Sequence, residues 1–90
     1  MNEELLLVGL RTDLGIGAHA YDDRLRERLR TAQARIAEEG VTLEDTAADR
    51  DLVIMYAAWL WRCRVTGEGM PRMLRYALNN RLFAEKGAEA

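Results

Sequence analysis

The placement of proline and glycine is the feature of this sequence that most constrains its fold. Pro71 is the only proline in ninety residues, and most glycines fall at three places, at positions 15 and 17, at position 40, and at positions 67 and 69. Proline and glycine are the residues that most disfavour a helix interior, so the long intervals between them favour helix. Leu, Ala, Arg and Glu, all good helix formers, dominate those intervals. The sequence therefore predicts an all-α fold, with residues 1–90 forming a single small domain.

The positions of this proline and these glycines predict four helices. They are a short N-terminal helix, an amphipathic second helix, a long central third helix and a C-terminal fourth helix, over about residues 3–13, 23–39, 46–65 and 71–86. Residues 87–90 are expected to fray, as chain ends commonly do.

Capping residues support these boundaries. Asn2 and Asp22 are suitable N-caps for the first two helices, and Gly40 is a suitable residue just beyond the end of the second. Thr46 and Asp49 match the pattern in which a threonine N-cap is followed three residues later by an acid. We therefore expect the third helix to start at Thr46.

The second helix has one narrow apolar stripe. Leu25, Leu29, Ala32 and Ile36 are spaced by four, three and four residues, which places them within about 60° of one another. This spacing is typical of a surface helix that buries a single face.

The third helix is apolar on more than one side. Trp59 lies on the same side as Leu52, whereas Ile54 and Trp61 lie on the far side, because residues two apart are rotated by about 200°. Either this helix is a central core helix covered by the other three, or one tryptophan face is completed by another subunit. On the second interpretation Trp59 belongs to the core and Trp61 to the contact.

The fourth helix also has two apolar sides. Leu74, Ala77 and Leu78 form one, and a second, roughly opposite one consists of Met73, Tyr76, Asn80 and Phe83. Two helices with two apolar faces each favour self-association, since a small monomer has few elements with which to cover them. The predicted oligomer or partner interface consists of Ile54, Trp61, Met73, Tyr76 and Phe83.

Charge is distributed unevenly along the chain. The net charge is −2, but residues 1–45 carry six basic and ten acidic side chains while residues 46–90 carry seven and five. The overall acidity argues against a general nucleic-acid binder. The basic second half is either a solvated face paired with acids or a surface near phosphates. On the second interpretation the candidate residues for a DNA channel are Arg62, Arg64, Arg72 and Arg75.

We expect no catalytic, cofactor-binding or metal site. His19 is the only histidine and Cys63 the only cysteine, so neither a histidine-based nor a cysteine-based metal site can be assembled from one chain. Cys63 is expected to be a buried, inert thiol, and the Gly15–Gly17 stretch a flexible loop rather than a phosphate cradle, because no lysine or third spaced glycine follows. The longest apolar run, residues 52–61, is half the length that a membrane span needs, so we expect no membrane partner.

Several segments in order resemble the head–tail connector (adaptor) proteins of long-tailed bacteriophages and prophages. The resemblance covers nearly the whole chain and is carried by residues 10–13 (LRTD), 20–25 (AYDDRL), 40–41, 45–46, 55–62 (MYAAWLWR) and 70–83 (MPRMLRYALNNRLF).

The resemblance implies a non-catalytic structural protein. Such subunits form a closed ring, for which a dodecamer is one candidate, that docks on the portal protein and presents a surface to a head-completion or tail protein. DNA passes through the ring without sequence-specific binding. The expected location is the virion head–tail junction, and the host cytoplasm during assembly. The alternative from another class is a small helix-turn-helix DNA-binding regulator, motivated by the turn between two arginine-bearing helices.

Overall fold

The computed structural model describes residues 1–89, which form four α-helices and no strand. The helices are α1 (Glu3–Leu14), α2 (Asp22–Glu38), α3 (Ala47–Thr66) and α4 (Arg72–Glu89). The predicted all-α fold of four helices is therefore confirmed.

Two of the three predicted N-caps are confirmed. The Asn2 side chain accepts hydrogen bonds from the backbone N–H groups of Glu4 and Leu5, at 3.0 and 3.2 Å. The Thr46 hydroxyl accepts one from the Asp49 N–H at 3.2 Å. These bonds satisfy donors that have no partner within the first turn of a helix.

The structure corrects the predicted start of α2 and the predicted end of α4. Asp22 is the first residue of α2, and Tyr21 occupies the N-cap position without a side-chain capping bond. The Asp22 carboxylate is unavailable as a cap because it contacts Arg11 and His19 instead. At the other end of the chain, α4 continues to Glu89 rather than ending near Lys86 as predicted, and Ala90 lies outside the described residues.

The core forms around α3, against which α1, α2 and α4 all pack. The predicted stripe of α2 is confirmed, since its members are fully buried: Leu25, Leu29, Ala32 and Ile36. On α3, Leu52, Val53, Ala57 and Leu60 are buried on several sides of the same helix. The third helix is thus a central core helix covered by the other three.

Gly9 explains how α1 approaches α3. A Cβ atom added at Gly9 would lie 2.6 Å from the Cδ1 atom of Ile54. A side chain at this position would displace Ile54, so the missing side chain lets the two helices pack closely.

Helix α4 joins this core along one side. Leu74 and Leu78 are buried, and the Leu82 side chain lies 3.6 Å from where a Cβ would stand on Gly40. Gly40 has a φ of +108°, in the region that favours glycine, directly after the end of α2. The turn at Gly40 therefore brings the following segment beneath α4.

Candidate interaction surfaces

The structure reverses the orientation predicted for the two tryptophans. Trp61 is only 8% exposed, with the Tyr21 ring packed edge-on at 5.6 Å and the Arg64 guanidinium stacked 3.7 Å from its centre. Trp59 is half-buried, and its indole N–H donates to the Glu68 carbonyl in the turn after α3 at 3.1 Å. Trp61 therefore belongs to the chain's own core, because α1 and the segment before α2 cover the side of α3 that was expected to be free.

Ile54 is likewise occupied within the chain. It is partly buried and packs against α1 at Gly9. Ile54 and Trp61 are thus not on a free surface, and the interface predicted from the sequence is reduced to three residues of α4.

Those three residues form an exposed row on α4. Met73, Tyr76 and Phe83, here called the α4 stripe, are 71%, 55% and 76% exposed. They fall within about 80° of one another, opposite Leu74 and Leu78. Large side chains of this kind carry on the order of 150–250 Å² each, so the stripe exposes on the order of 400 Å² of mostly apolar surface. A patch of this size is comparable to the largest that a typical monomer exposes, and such patches are often functional.

Three of the four arginines proposed for a DNA channel have partners within the chain. Arg64 stacks on Trp61, and Arg75 pairs with Glu39 at the end of α2 at 2.9 Å. Arg62 lies 3.6 Å from Asp13 and lines a shallow cleft that also contains Met73. Arg72 is exposed and has no ion-pair partner among residues 1–87, whose side chains the structure describes. The structure therefore brings only Arg62 near the α4 stripe through a shared cleft, while Arg72 lies one residue before it.

A second apolar row lies on α1, and the sequence reasoning missed it. Leu5 and Val8 are 62% and 59% exposed, and with Thr12 they form what we call the α1 stripe. The three residues fall within about 60° of one another, opposite the buried Leu6 and Leu10. The Thr12 hydroxyl donates to the Val8 carbonyl at 2.9 Å, so it needs no further polar partner. The three- and four-residue spacing of this row was a signal available in the sequence.

A partly buried ionic network, which the sequence analysis also missed, links α4 to the start of α3. The Arg81 Nε donates to the Asp49 carboxylate at 2.9 Å, and the two Nη atoms donate to Glu85 at 2.8 Å and to the Thr42 carbonyl at 2.7 Å. The Glu44 N–H also donates to Asp49, at 2.9 Å. No local pattern could reveal this network, because Asp49 and Arg81 are 32 positions apart.

The network shifts the acid–base equilibria of its members. Burial tends to raise the pKa of the Asp49 carboxyl, but hydrogen bonds from Arg81 and from the Glu44 N–H outweigh that effect and hold the pKa below its ordinary value of 3.8. Hydrogen bonds to Asp49 and then Glu85 raise the pKa of the Arg81 guanidinium. The pKa of Glu85 is lowered by its hydrogen bonds with Thr42 and Arg81. Each group is therefore held in its charged form.

His19 belongs to a polar cluster at the loop between α1 and α2. Its Nδ1 atom lies 3.0 Å from both the Arg11 guanidinium and the Asp22 carboxylate, and Arg11 also donates to the Gly17 carbonyl at 2.7 Å. These contacts tie the loop to both helices.

Cys63 lies near the end of α3 and is half-buried, whereas the sequence predicted a buried thiol. Its S–H group donates a weak hydrogen bond to the Leu60 carbonyl.

Among the side chains that the structure describes, those of residues 1–87, there is no cluster of His, Cys, Asp and Glu that could hold a metal ion. Within the same range, no helix combines the length and the hydropathy needed to cross a bilayer. Comparison of the chain with protein-family models, with curated proteins and with solved structures gives no match in any of the three. The exposed rows on α1 and α4 are therefore the features from which a function can be argued.

Proposed function

We propose that this protein is a structural subunit of a bacteriophage or prophage head–tail connector. In this role it forms a homo-oligomeric ring beneath the portal protein and joins the DNA-filled head to a head-completion or tail protein. It has no catalytic activity, and it acts at the virion head–tail junction after assembly in the host cytoplasm.

The observation that carries the proposal is the exposure of the α4 stripe. Met73, Tyr76 and Phe83 present large side chains to solvent on a helix whose opposite side already supplies its share of the core. Aromatic residues and methionine are enriched where proteins contact one another. A surface of this composition supports a protein that works by packing against other subunits, which agrees with the resemblance in residues 55–62 and 70–83.

The same stripe favours the connector over the helix-turn-helix regulator. A recognition helix reads DNA bases through polar and charged side chains on its outward face. Here the outward face of the helix after the turn carries Met73, Tyr76 and Phe83. Of the nearby arginines, Arg75 is already paired with Glu39.

The test is the oligomeric state of the purified protein, measured by native mass spectrometry and sedimentation velocity across a range of concentrations. We expect a closed oligomer of defined copy number, and we expect Phe83→Glu to abolish it. Val65→Glu is the matched control, since Val65 is 78% exposed and lies on α3 rather than in the stripe. The control variant should assemble as the unmodified protein does.

A monomer at every concentration would contradict the proposal. Tight, sequence-dependent DNA binding by the isolated chain in a salt titration would support the regulator instead. A connector that lets DNA pass should bind duplex DNA weakly and without sequence preference.

A further inference from the structure

We propose that a row of arginines on α2 contacts the phosphate backbone of duplex DNA without reading its sequence. The row consists of Arg24, Arg28 and Arg35 and is called the α2 row. This inference rests on the proposed function, in which DNA passes the assembled subunits, and adds to it the surface that meets the phosphates. None of the four arginines predicted for a DNA channel belongs to the α2 row.

The first argument is that α2 carries two differently paired sets of arginines. Arg26 and Arg30 pair with Glu4 and Glu3 of α1, at 3.2 and 2.8 Å. The members of the α2 row fall within about 40° of one another on a different side of the helix. None of them has an ion-pair partner among residues 1–87, the range over which side chains are described. The charge of the α2 row is therefore not neutralised by those residues.

Arg28 shows this most directly. It is half-buried, and its Nε atom is shielded from solvent without a hydrogen-bond partner in the described part of the chain. Buried polar groups are almost always hydrogen-bonded, and a guanidinium forms strong, charge-assisted bonds with phosphate oxygens. An anion from outside the chain would supply acceptors that this guanidinium lacks.

The second argument is the composition of the surface around the row. The exposed and half-buried positions of α2 between Arg24 and Arg35 carry no large apolar side chain, because Leu25 and Leu29 are fully buried. A helix that lies on a membrane inserts apolar side chains, and protein contacts are centred on aromatic and other large side chains. Binding to a nucleic-acid backbone requires only cations. The composition therefore favours nucleic acid over a lipid surface or a protein.

The third argument is length. Arg24 and Arg35 are eleven residues apart on one helix, which separates them by about 16 Å along its axis. One strand of duplex DNA has a phosphate about every 3.4 Å along the duplex axis, so about five phosphates occupy that length. Each arginine of the α2 row can therefore meet a different phosphate.

Two acids limit the strength of this contact. Glu27 and Glu38 are exposed, lie about 60–80° to one side of the α2 row, and form no ion pair with it. Their repulsion of phosphate acts over about 8 Å at physiological salt. We expect weak binding, which suits DNA that has to move past the subunit, and we expect Glu27→Gln/Glu38→Gln to bind DNA more tightly.

The experiment measures binding of fluorescent duplexes of two unrelated base sequences to the full-length protein, between about 50 and 200 mM salt. Three phosphate contacts predict a slope of about −2.7 for the logarithm of the association constant against the logarithm of salt concentration. This slope corresponds to roughly 40-fold weaker binding at the higher salt concentration. We expect both sequences to bind alike and the variant Arg24→Gln/Arg28→Gln/Arg35→Gln to lose this salt dependence.

The matched control is Arg26→Gln/Arg30→Gln/Arg50→Gln. It removes the same number of charges, so the two triple variants have equal net charge, but its arginines already pair with carboxylates. The control should keep the slope of the unmodified protein. Circular dichroism checks the fold of both triple variants.

A double variant guards against a folding defect at the half-buried position. Arg24→Gln/Arg35→Gln changes two exposed side chains and leaves Arg28 in place. It should reduce the slope by about 1.8, because two of the three contacts are removed.

The outcomes separate this inference from the function on which it rests, provided that the oligomeric state is measured on the same samples. If the two triple variants bind duplex DNA equally, the α2 row is not the contact and the inference is wrong, while the connector proposal stands on its ring. Binding to vesicles containing phosphatidylserine, but not to duplex DNA, would also overturn the inference. If the unmodified protein is monomeric at every concentration but binds DNA through the α2 row, the connector proposal fails and the contact with phosphates is supported.

Discussion

At the scale of single residues, the pair formed by Asp49 and Arg81 decides how α4 is attached. Asp49 is 3% exposed and accepts hydrogen bonds from both Arg81 and the Glu44 N–H, besides lying at the third position of α3. Placing a charge in such a position is favourable only when its partners are in place. Removing Arg81 would leave a buried carboxylate without its main partner.

This arrangement predicts a specific dependence of stability on pH. The pKa of Asp49 is lower in the folded chain than its ordinary value of 3.8, so its charge stabilises the fold fully above that value. The stabilisation is lost as the pH falls through the lowered folded pKa, because the folded protein must then bind the proton that the unfolded chain already carries. We expect the free energy of unfolding of the unmodified protein to exceed that of Asp49→Asn at neutral pH, and the difference to shrink below about pH 4.

Denaturant unfolding at a series of pH values measures this difference. Asp51→Asn is the matched control, because Asp51 is exposed on the same helix. A difference between Asp49→Asn and the unmodified protein that stays constant down to the lowest accessible pH would contradict the assignment.

At the scale of helices, the orientation of α3 determines which tryptophan stabilises the fold. Trp61 is nearly buried beneath Tyr21 and Arg64, whereas Trp59 is half-buried at the edge facing the turn after α3. Truncating a buried aromatic side chain removes its burial and leaves a cavity. The two positions therefore differ in what their truncation removes.

We expect Trp61→Ala to lower the free energy of unfolding by about 3–5 kcal/mol and Trp59→Ala by clearly less. Urea denaturation followed by far-ultraviolet circular dichroism measures both under the same conditions. Trp61→Phe keeps a ring beneath Tyr21 and should recover part of the loss. A larger loss for Trp59→Ala than for Trp61→Ala would show that α3 is rotated the other way.

The helices themselves could be predicted from the sequence, because the signals that specify them are local. Asn2, Thr46 and Gly40 act within a few residues of their own positions, and the stripe of α2 follows from spacing alone. The orientation of the α3 side chains relative to the core was harder to predict. Helical geometry correctly separated Trp59 from Trp61, but it could not say which side of α3 each neighbouring helix covers.

The candidate interaction surfaces also divide into features set by local spacing, which could be predicted, and features set by long-range packing, which could not. The α4 stripe was visible in the sequence because its residues repeat along one helix. The pairing of Arg75 with Glu39 was not, because the two residues are 36 positions apart and meet only when α4 packs beside the end of α2. Cations counted along a sequence therefore overestimate the free positive surface of the folded chain.

At the scale of the whole molecule, the four helices are not equally secured. Helices α1, α2 and α3 share the larger part of the core, whereas α4 contributes Leu74 and Leu78 as its fully buried side chains and depends on Arg81 for much of its remaining attachment. The molecule is correspondingly elongated, measuring 45 × 28 × 18 Å. Elements with fewer buried contacts open at a lower free energy than the rest of a domain.

We therefore predict that α4 opens as a unit while α1, α2 and α3 remain folded. Native-state hydrogen exchange at low protein concentration, where no second copy covers the α4 stripe, should show faster exchange of the α4 amides than of those in α2. Leu74→Ala should speed exchange mainly in α4, because it weakens only the attachment of that helix. Leu29→Ala removes a leucine of equal burial from the shared core and should destabilise every helix, by about 2–5 kcal/mol. The prediction is contradicted if α2 and α4 exchange equally and the two substitutions act alike throughout the chain. The domain would then open only as a whole. Any contact made through the α4 stripe would in that case form on a helix as stable as the core beneath it.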